Sequence, residues 1–188
     1  QWLGGIGIIV IAIAIFPVLK IGGMQLFQTE FSSKEDKVLP RTTTIASGIG
    51  IVYFLLTIVC SLFLFLTGLS FFDSIAHAMT IIATGGFSTK DLSIGHYDSV
   101  YTEVVTIAFM IISSLPFILF FQALRGKIGD LFSNSQVHFF LILVFSVTLI
   151  VTIWLKKYYE VDFFQSLRIA AFSVVSISTG SGFSTYDF

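Results

Sequence analysis

Charge is what this sequence has least of. Asp, Glu, Lys and Arg make up 11% of its 188 residues, against roughly a quarter in an ordinary soluble domain. With 55% hydrophobic residues and a mean hydropathy of +0.95, the polar surface cannot cover a water-soluble globule, so lipid is the solvent for most of the chain. The charges that are present nearly cancel, to a net −1. They form no basic block, which excludes an electrostatic footprint for nucleic acid. A single cysteine, Cys60, excludes an internal disulfide; inside an apolar run it reads as a small packing residue. No methionine and no basic segment precede the first apolar run, so that run does not read as a cleaved signal peptide. The chain reads as an internal piece of a longer protein.

Long apolar runs are abundant instead. A hydrocarbon core about 30 Å thick takes roughly 20 helical residues, and four charge-free windows reach that size: 1–19, 42–72, 104–124 and 131–155. They predict spans over 1–19, 44–68, 99–124 and 136–155, in an all-α polytopic membrane protein. Pro17 and Pro116 are expected to kink their helices, with Ser113 and Ser114 bonding carbonyls freed beside Pro116. Basic residues set the orientation: Lys20, Lys34, Lys37 and Arg41 lie in one loop and Arg125 and Lys127 in another, which places loops 20–41 and 125–135 in the cytoplasm.

Two apolar stretches are too short to span. About ten helical residues cover only about 15 Å, half the membrane. The first, read as a pore helix over 73–83, runs into Thr84-Gly85-Gly86-Phe87-Ser88-Thr89; the second, over 162–178, runs into Thr179-Gly180-Ser181-Gly182-Phe183-Ser184-Thr185. Gly86-Phe87-Ser88-Thr89 returns as Gly182-Phe183-Ser184-Thr185, a separation of 96 residues, each time after a span, an acidic residue and a short helix. The repeated unit is span, pore half-helix, filter, span, as in potassium-channel-like folds, and the last copy is incomplete.

Non-helical backbone at membrane depth is tolerated only where protein or a water-filled path shields it. Glycines there allow dihedrals that turn successive carbonyls toward one axis, where they can replace the hydration shell of a cation. The negative end of each half-helix dipole would face that ion. Phe87 and Phe183 are expected to anchor the extended segments by packing sideways. The chain accordingly divides into 1–41, a span and cytoplasmic loop ending a first repeat; 42–130, a complete second repeat with its filter at 84–89; and 131–188, a third repeat cut after its filter at 179–185.

At Gln1-Trp2-Leu3-Gly4-Gly5-Ile6-Gly7-Ile8, Gly22-Gly23-Met24-Gln25-Leu26, Ala83 to Thr89 and Val174-Val175-Ser176 leading into Gly182-Phe183, the chain resembles the Trk/Ktr/HKT superfamily of potassium transporters. The resemblance runs nearly end to end. It implies potassium uptake through four repeats around one pore, with filter carbonyls from Thr84, Gly85 and Gly86 and, by matching, Gly180, Ser181 and Gly182. It also implies a bacterial inner-membrane location, a homodimeric full-length protein, and a cytoplasmic nucleotide-binding regulatory subunit. Potassium is then the transported ion, and no organic cofactor is expected in this chain, which has no Gly-x-Gly-x-x-Gly motif.

Simpler readings stand beside these. Gly4, Gly5, Gly7, Gly48 and Gly50 read as close helix contacts; Asp73 and Asp162 as caps of the half-helices; His77 as a hydrogen-bonded structural residue, with His96 and His138 lacking partners at metal-ligand spacing. Arg168, a charge within a half-helix, needs a partner or a path to the surface. The 22 phenylalanines read as lipid-facing and interhelical packing. No nucleophile has a base at membrane depth, which argues against an enzyme. Two alternatives remain open from the residues: a sodium-permeable or sodium-coupled transporter of the same architecture, and a structural membrane subunit without a conducting filter.

Overall fold

Backbone N–H and C=O groups in hydrocarbon must pair inside the chain, and a helix does this segment by segment. The computed structural model describes residues 1–7, 38–159 and 162–185, with side chains from Ile45 onward in the helix that starts at Val38, and its regular structure there is all helical. A helical stretch at 2–7 is followed by α1 (Val38–Leu66), α2 (Phe71–Ile82), a 3₁₀ turn (Ser93–Tyr97), α3 (Val100–Ser114), α4 (Phe117–Leu124), α5 (Ile128–Ser133), α6 (Ser135–Tyr159) and α7 (Phe163–Ser178). Most of the expected first span and of loop 20–41, including Pro17, lies outside the described residues. Arg41, expected in that loop, belongs to α1.

Residues 45–66 of α1 and 135–159 of α6 are each long and apolar enough to cross a membrane. Both are apolar on more than one side. In α1, Val52, Tyr53, Cys60 and Leu64 are buried, while Phe54, Leu62, Phe65 and Leu66 face outward, as expected of a helix with lipid along one flank. Thr67-Gly68 stops α1, with Gly68 at φ +102°, a left-handed value that glycine adopts without a Cβ clash.

The half-helices are shorter. α2 has 12 residues and α7 has 16, or about 18 and 24 Å of rise. Each packs on the long helix before it, α2 on α1 and α7 on α6, and α3 touches both. Leu64, Ile81, Ile82, Met110, Phe172 and Val175 form the core at this junction.

The segment expected to be one span over 99–124 is two helices meeting at 90°. Proline is the cause. Pro116 has no N–H to offer Ile112, and the residue before a proline is pushed out of helical dihedrals; Leu115 sits at φ −78°, ψ 151° and its own N–H takes the Ile112 carbonyl at 3.2 Å. The hydroxyls of Ser113 and Ser114 bond the carbonyls of Met110 and Ile111 at 3.0 and 2.7 Å. Beyond the bend α4 packs on α1: Phe117 stacks edge-on to Tyr53 at 5.6 Å, and Phe121 fills the space in front of Gly48, where any Cβ would strike its ring. Gly5 approaches Tyr53 Oη and Ala83, whereas Gly4 and Gly7 have no described atom within 4 Å of a Cβ position.

Arg168 does have a partner. Its Nε lies 3.2 Å from Glu103 Oε2, joining α7 to α3, with the Glu103 side chain almost fully buried. Removing one member of a buried pair strands the other charge, a cost of about 3 kcal/mol or more. Glu103→Gln or Arg168→Gln should therefore lower the thermal unfolding midpoint of the complete natural protein in detergent. The exchanged pair Glu103→Arg with Arg168→Glu should recover at least half of that loss.

Candidate functional site

Both half-helices end in the same backbone turn. Ala83 N–H bonds Met79 O, Thr84 N–H bonds Ile81 O and Gly85 N–H bonds Thr80 O; Thr179 N–H bonds Val175 O, Gly180 N–H bonds Ile177 O and Ser181 N–H bonds Ser176 O, all between 2.8 and 3.2 Å. This pattern is a Schellman motif, in which the residue after the cap turns left-handed and two N–H groups cap the last carbonyls. The left-handed residues are Thr84 at φ +50° and Gly180 at φ +72°. Gly86 and Gly182 come next at φ +66° and +78°. The Thr80 hydroxyl then bonds the Phe87 carbonyl at 2.8 Å, and the Ser176 hydroxyl bonds the Phe183 carbonyl at 2.7 Å. Every one of these pairs is related by the 96-residue offset.

Backbone carbonyls are the chemistry of this site. Among the described residues, no N–H or O–H group donates to the carbonyls of Thr84, Gly85, Gly86, Gly180, Ser181 or Gly182. With Gly180 and Gly182 exposed, Thr84, Gly85 and Gly86 half-buried, and no described donor on any of the six, these oxygens are available to a ligand that accepts electron density. The two turns also meet: a Cβ on Gly86 would overlap the Ser181 carbonyl oxygen. A side chain at Gly85 would strike Gln1 instead.

The two copies differ in how each half-helix begins and how the segment after its turn is held. In the first copy, Ser70 caps α2, accepting from Asp73 N–H at 3.1 Å, while Asp73 sits buried in the first turn. Asp73 is thus not the cap residue, although Asp162 is, accepting from Phe164 N–H at 3.1 Å. The Asp73 carboxylate accepts from the Thr89 and Ser70 hydroxyls at 2.6 and 2.9 Å and lies 3.5 Å from Lys90 Nζ. The Thr89 hydroxyl foremost, with Ser70 and Lys90 helping, outweighs desolvation and holds its pKa down at about 2. It stays an anion at any physiological pH.

His77 is fully buried. Its Nδ1 meets the Asp73 carbonyl at 2.7 Å and its Nε2 meets the Ser88 hydroxyl at 2.9 Å. A carbonyl only accepts, so Nδ1 carries the proton and Nε2 accepts from Ser88. That oxygen in turn accepts from Lys90 N–H at 3.1 Å. His77 is structural, and it locks the segment after the first turn onto its own half-helix. The second copy has Ile169 and Ser173 at the positions of Asp73 and His77.

The phenylalanines also part company. Phe183 is 3% exposed and packs beside the His77 ring at 6.3 Å, but Phe87 is 71% exposed. Only Phe183 therefore anchors its segment among the described residues.

The model of the TrkH family, described as a cation transport protein, matches residues 1–188. The chain belongs to the TrkH family. It is 41% identical over 193 residues to the Trk system potassium uptake protein TrkH of Halomonas elongata, covering 100% of this chain and 40% of that protein. The Escherichia coli K12 protein of the same name is 37% identical over 190 residues, covering 98% and 39%. The crystal structure of the potassium transporter TrkH from Vibrio parahaemolyticus superposes with a TM-score of 0.81 at 35% identity, over 99% of this chain and 38% of that one. The chain thus spans about two fifths of these TrkH relatives. With the family come the all-helical membrane fold and its apolar helices.

Thr84 holds a conformation that costs a non-glycine residue about 1–2 kcal/mol, whereas Gly180 holds it without that cost. Thr84→Gly should leave the unfolding midpoint of the complete protein within the change of about 1 kcal/mol set by glycine's own entropy. Gly180→Val should lower it measurably, and the same pair of thermal melts decides both.

Proposed function

We propose that this chain supplies two adjacent quarters of a potassium filter in a potassium-uptake transporter. The observation that carries the reading is the matched pair of half-helix ends, with six unengaged carbonyls and Gly86 against Ser181. Thr84, Gly85, Gly86, Gly180, Ser181 and Gly182 are the proposed ligands of the dehydrated cation. The carbonyl ends of α2 and α7 add negative dipole potential without a buried side-chain charge. Relatives named as potassium uptake proteins support the choice of ion.

The rest of the machine is proposed by family. Four repeats complete the pore, and this chain contributes the end of the first, the second, and the third up to its filter, with divisions near residues 41 and 130. Loops 20–41 and 125–135 face the cytoplasm of a bacterial inner membrane, the complete protein is a homodimer, and a nucleotide-binding subunit regulates it from that side. Its work is transport, not catalysis.

One observation favours a second reading. The two filter copies differ at Thr84 against Gly180 and Gly85 against Ser181, and the Ser181 hydroxyl is drawn to Thr179 Oγ1 at 2.9 Å. A less uniform carbonyl cage discriminates less sharply between cations, which would admit sodium. Fluxes with potassium or sodium as the sole cation separate the two.

Gly86→Val and Gly182→Val in the complete natural protein should each abolish potassium-dependent growth of uptake-deficient cells while membrane levels persist. Normal growth with both variants would sink the filter reading.

A further inference from the structure

The chain leaving the first filter does not run straight into α3. It makes the 3₁₀ turn Ser93–Tyr97, anchored by fully buried Ile94 and by Tyr97, whose ring stacks edge-on to His77 at 5.7 Å. Ser93 enters that turn at φ +54° and Asp98 leaves it at φ +40°. Two left-handed non-glycine residues so close together are strained, and persist only where surrounding contacts hold them.

Those contacts reach the other filter. Ser184 N–H donates to Ser93 Oγ at 3.3 Å, and Gly95 N–H donates to the Ser184 carbonyl at 3.2 Å. Both backbone polar groups of one residue, two positions past Gly182, are thus held by the turn. There is no slack at the contact, since a Cβ on Gly95 would lie 2.5 Å from the Thr185 carbonyl oxygen. Nearer the filters, Gly86 abuts Ser181, and Phe183 lies against His77, which Ser88 fixes to the first copy. The two post-filter segments are laced at three successive levels.

We propose that the Ser93–Tyr97 turn is a strut that sets the separation of the two neighbouring filters, with Ser93 and Gly95 as positioning residues for the cation pathway. The inference rests on the filter reading above. Moving Ser184 drags Phe183, whose carbonyl is pinned by Ser176, and through it Gly182 and Ser181. Discrimination between cations of different size depends on oxygen positions held to fractions of an ångström. A displaced strut therefore alters which cation is preferred, not only how much protein folds.

The test uses the complete natural protein in liposomes, with potassium and sodium uptake measured over a range of concentrations. Gly95→Val should raise the apparent KM for potassium and lower its preference over sodium about fivefold, the scale of one lost backbone hydrogen bond. Ser93→Ala, which removes the acceptor for Ser184, should change both in the same direction. Ser93→Asn keeps an acceptor oxygen and tolerates the left-handed region, so it should restore most of the preference. Reduced maximal rate with unchanged KM and ion preference in Gly95→Val and Ser93→Ala overturns the strut. Should Gly95→Val fail to reach the membrane, the Ser93→Ala and Ser93→Asn pair decides by the same criterion. If the wild-type protein itself carries neither cation, the filter reading falls and the strut with it; a conducting wild type with unaltered variants overturns the strut alone.

Discussion

A carbonyl group at membrane depth has to be paired or put to use. Most of the chain pairs its carbonyls within helices, and the Schellman turns after Ile82 and Ser178 pair the last ones. The turns then release the next three carbonyls of each copy. Much of the remaining architecture serves that release. Long helices α1 and α6 back the half-helices, the left-handed residues Thr84 and Gly180 reverse the chain, and the Thr80 and Ser176 hydroxyls fasten the strand three residues later.

The cost of that arrangement is met by tertiary contacts rather than by local preference. Short helices are marginal on their own, and α2 contains only 12 residues. It is held at its start by Ser70, at its middle by burial of Ala78 and His77, and at its end by core residues Ile81 and Ile82. α7 is a turn longer and is tied to α3 by the Arg168–Glu103 pair. The same unit is thus secured twice by different chemistry, because only its carbonyl end has to repeat.

Local signals in the sequence carried the repeated element. Half-length apolar helices leading into glycines at a fixed offset pointed to Thr84–Gly86 and Gly180–Gly182, because helix length and glycine placement need no knowledge of distant residues. Features that depended on a remote neighbour were not legible. Nothing beside Glu103 in the sequence marks a partner for it, yet it meets Arg168, 65 positions away. The roles of Ser93 and Gly95 exist only because Ser184 arrives beside them. A kink at Pro116 was expected from its missing N–H, but not that α4 beyond it would seat Phe121 against Gly48. Phe87 and Phe183 share a motif, and only the surroundings of the second bury it.

Among the described residues, the clamp built from Asp73, His77, Ser88, Thr89 and Lys90 has no counterpart in the second copy, where Ile169 and Ser173 stand in place of the aspartate and histidine. Two loops with one backbone trace therefore differ in mechanical compliance. The first is braced to its own half-helix; the second leans on its neighbour. Residues 84–88 are held within their own repeat, whereas residues 180–184 are held across to the other one, at Ser93, Gly95 and His77. Symmetry in shape thus coexists with asymmetry in bracing.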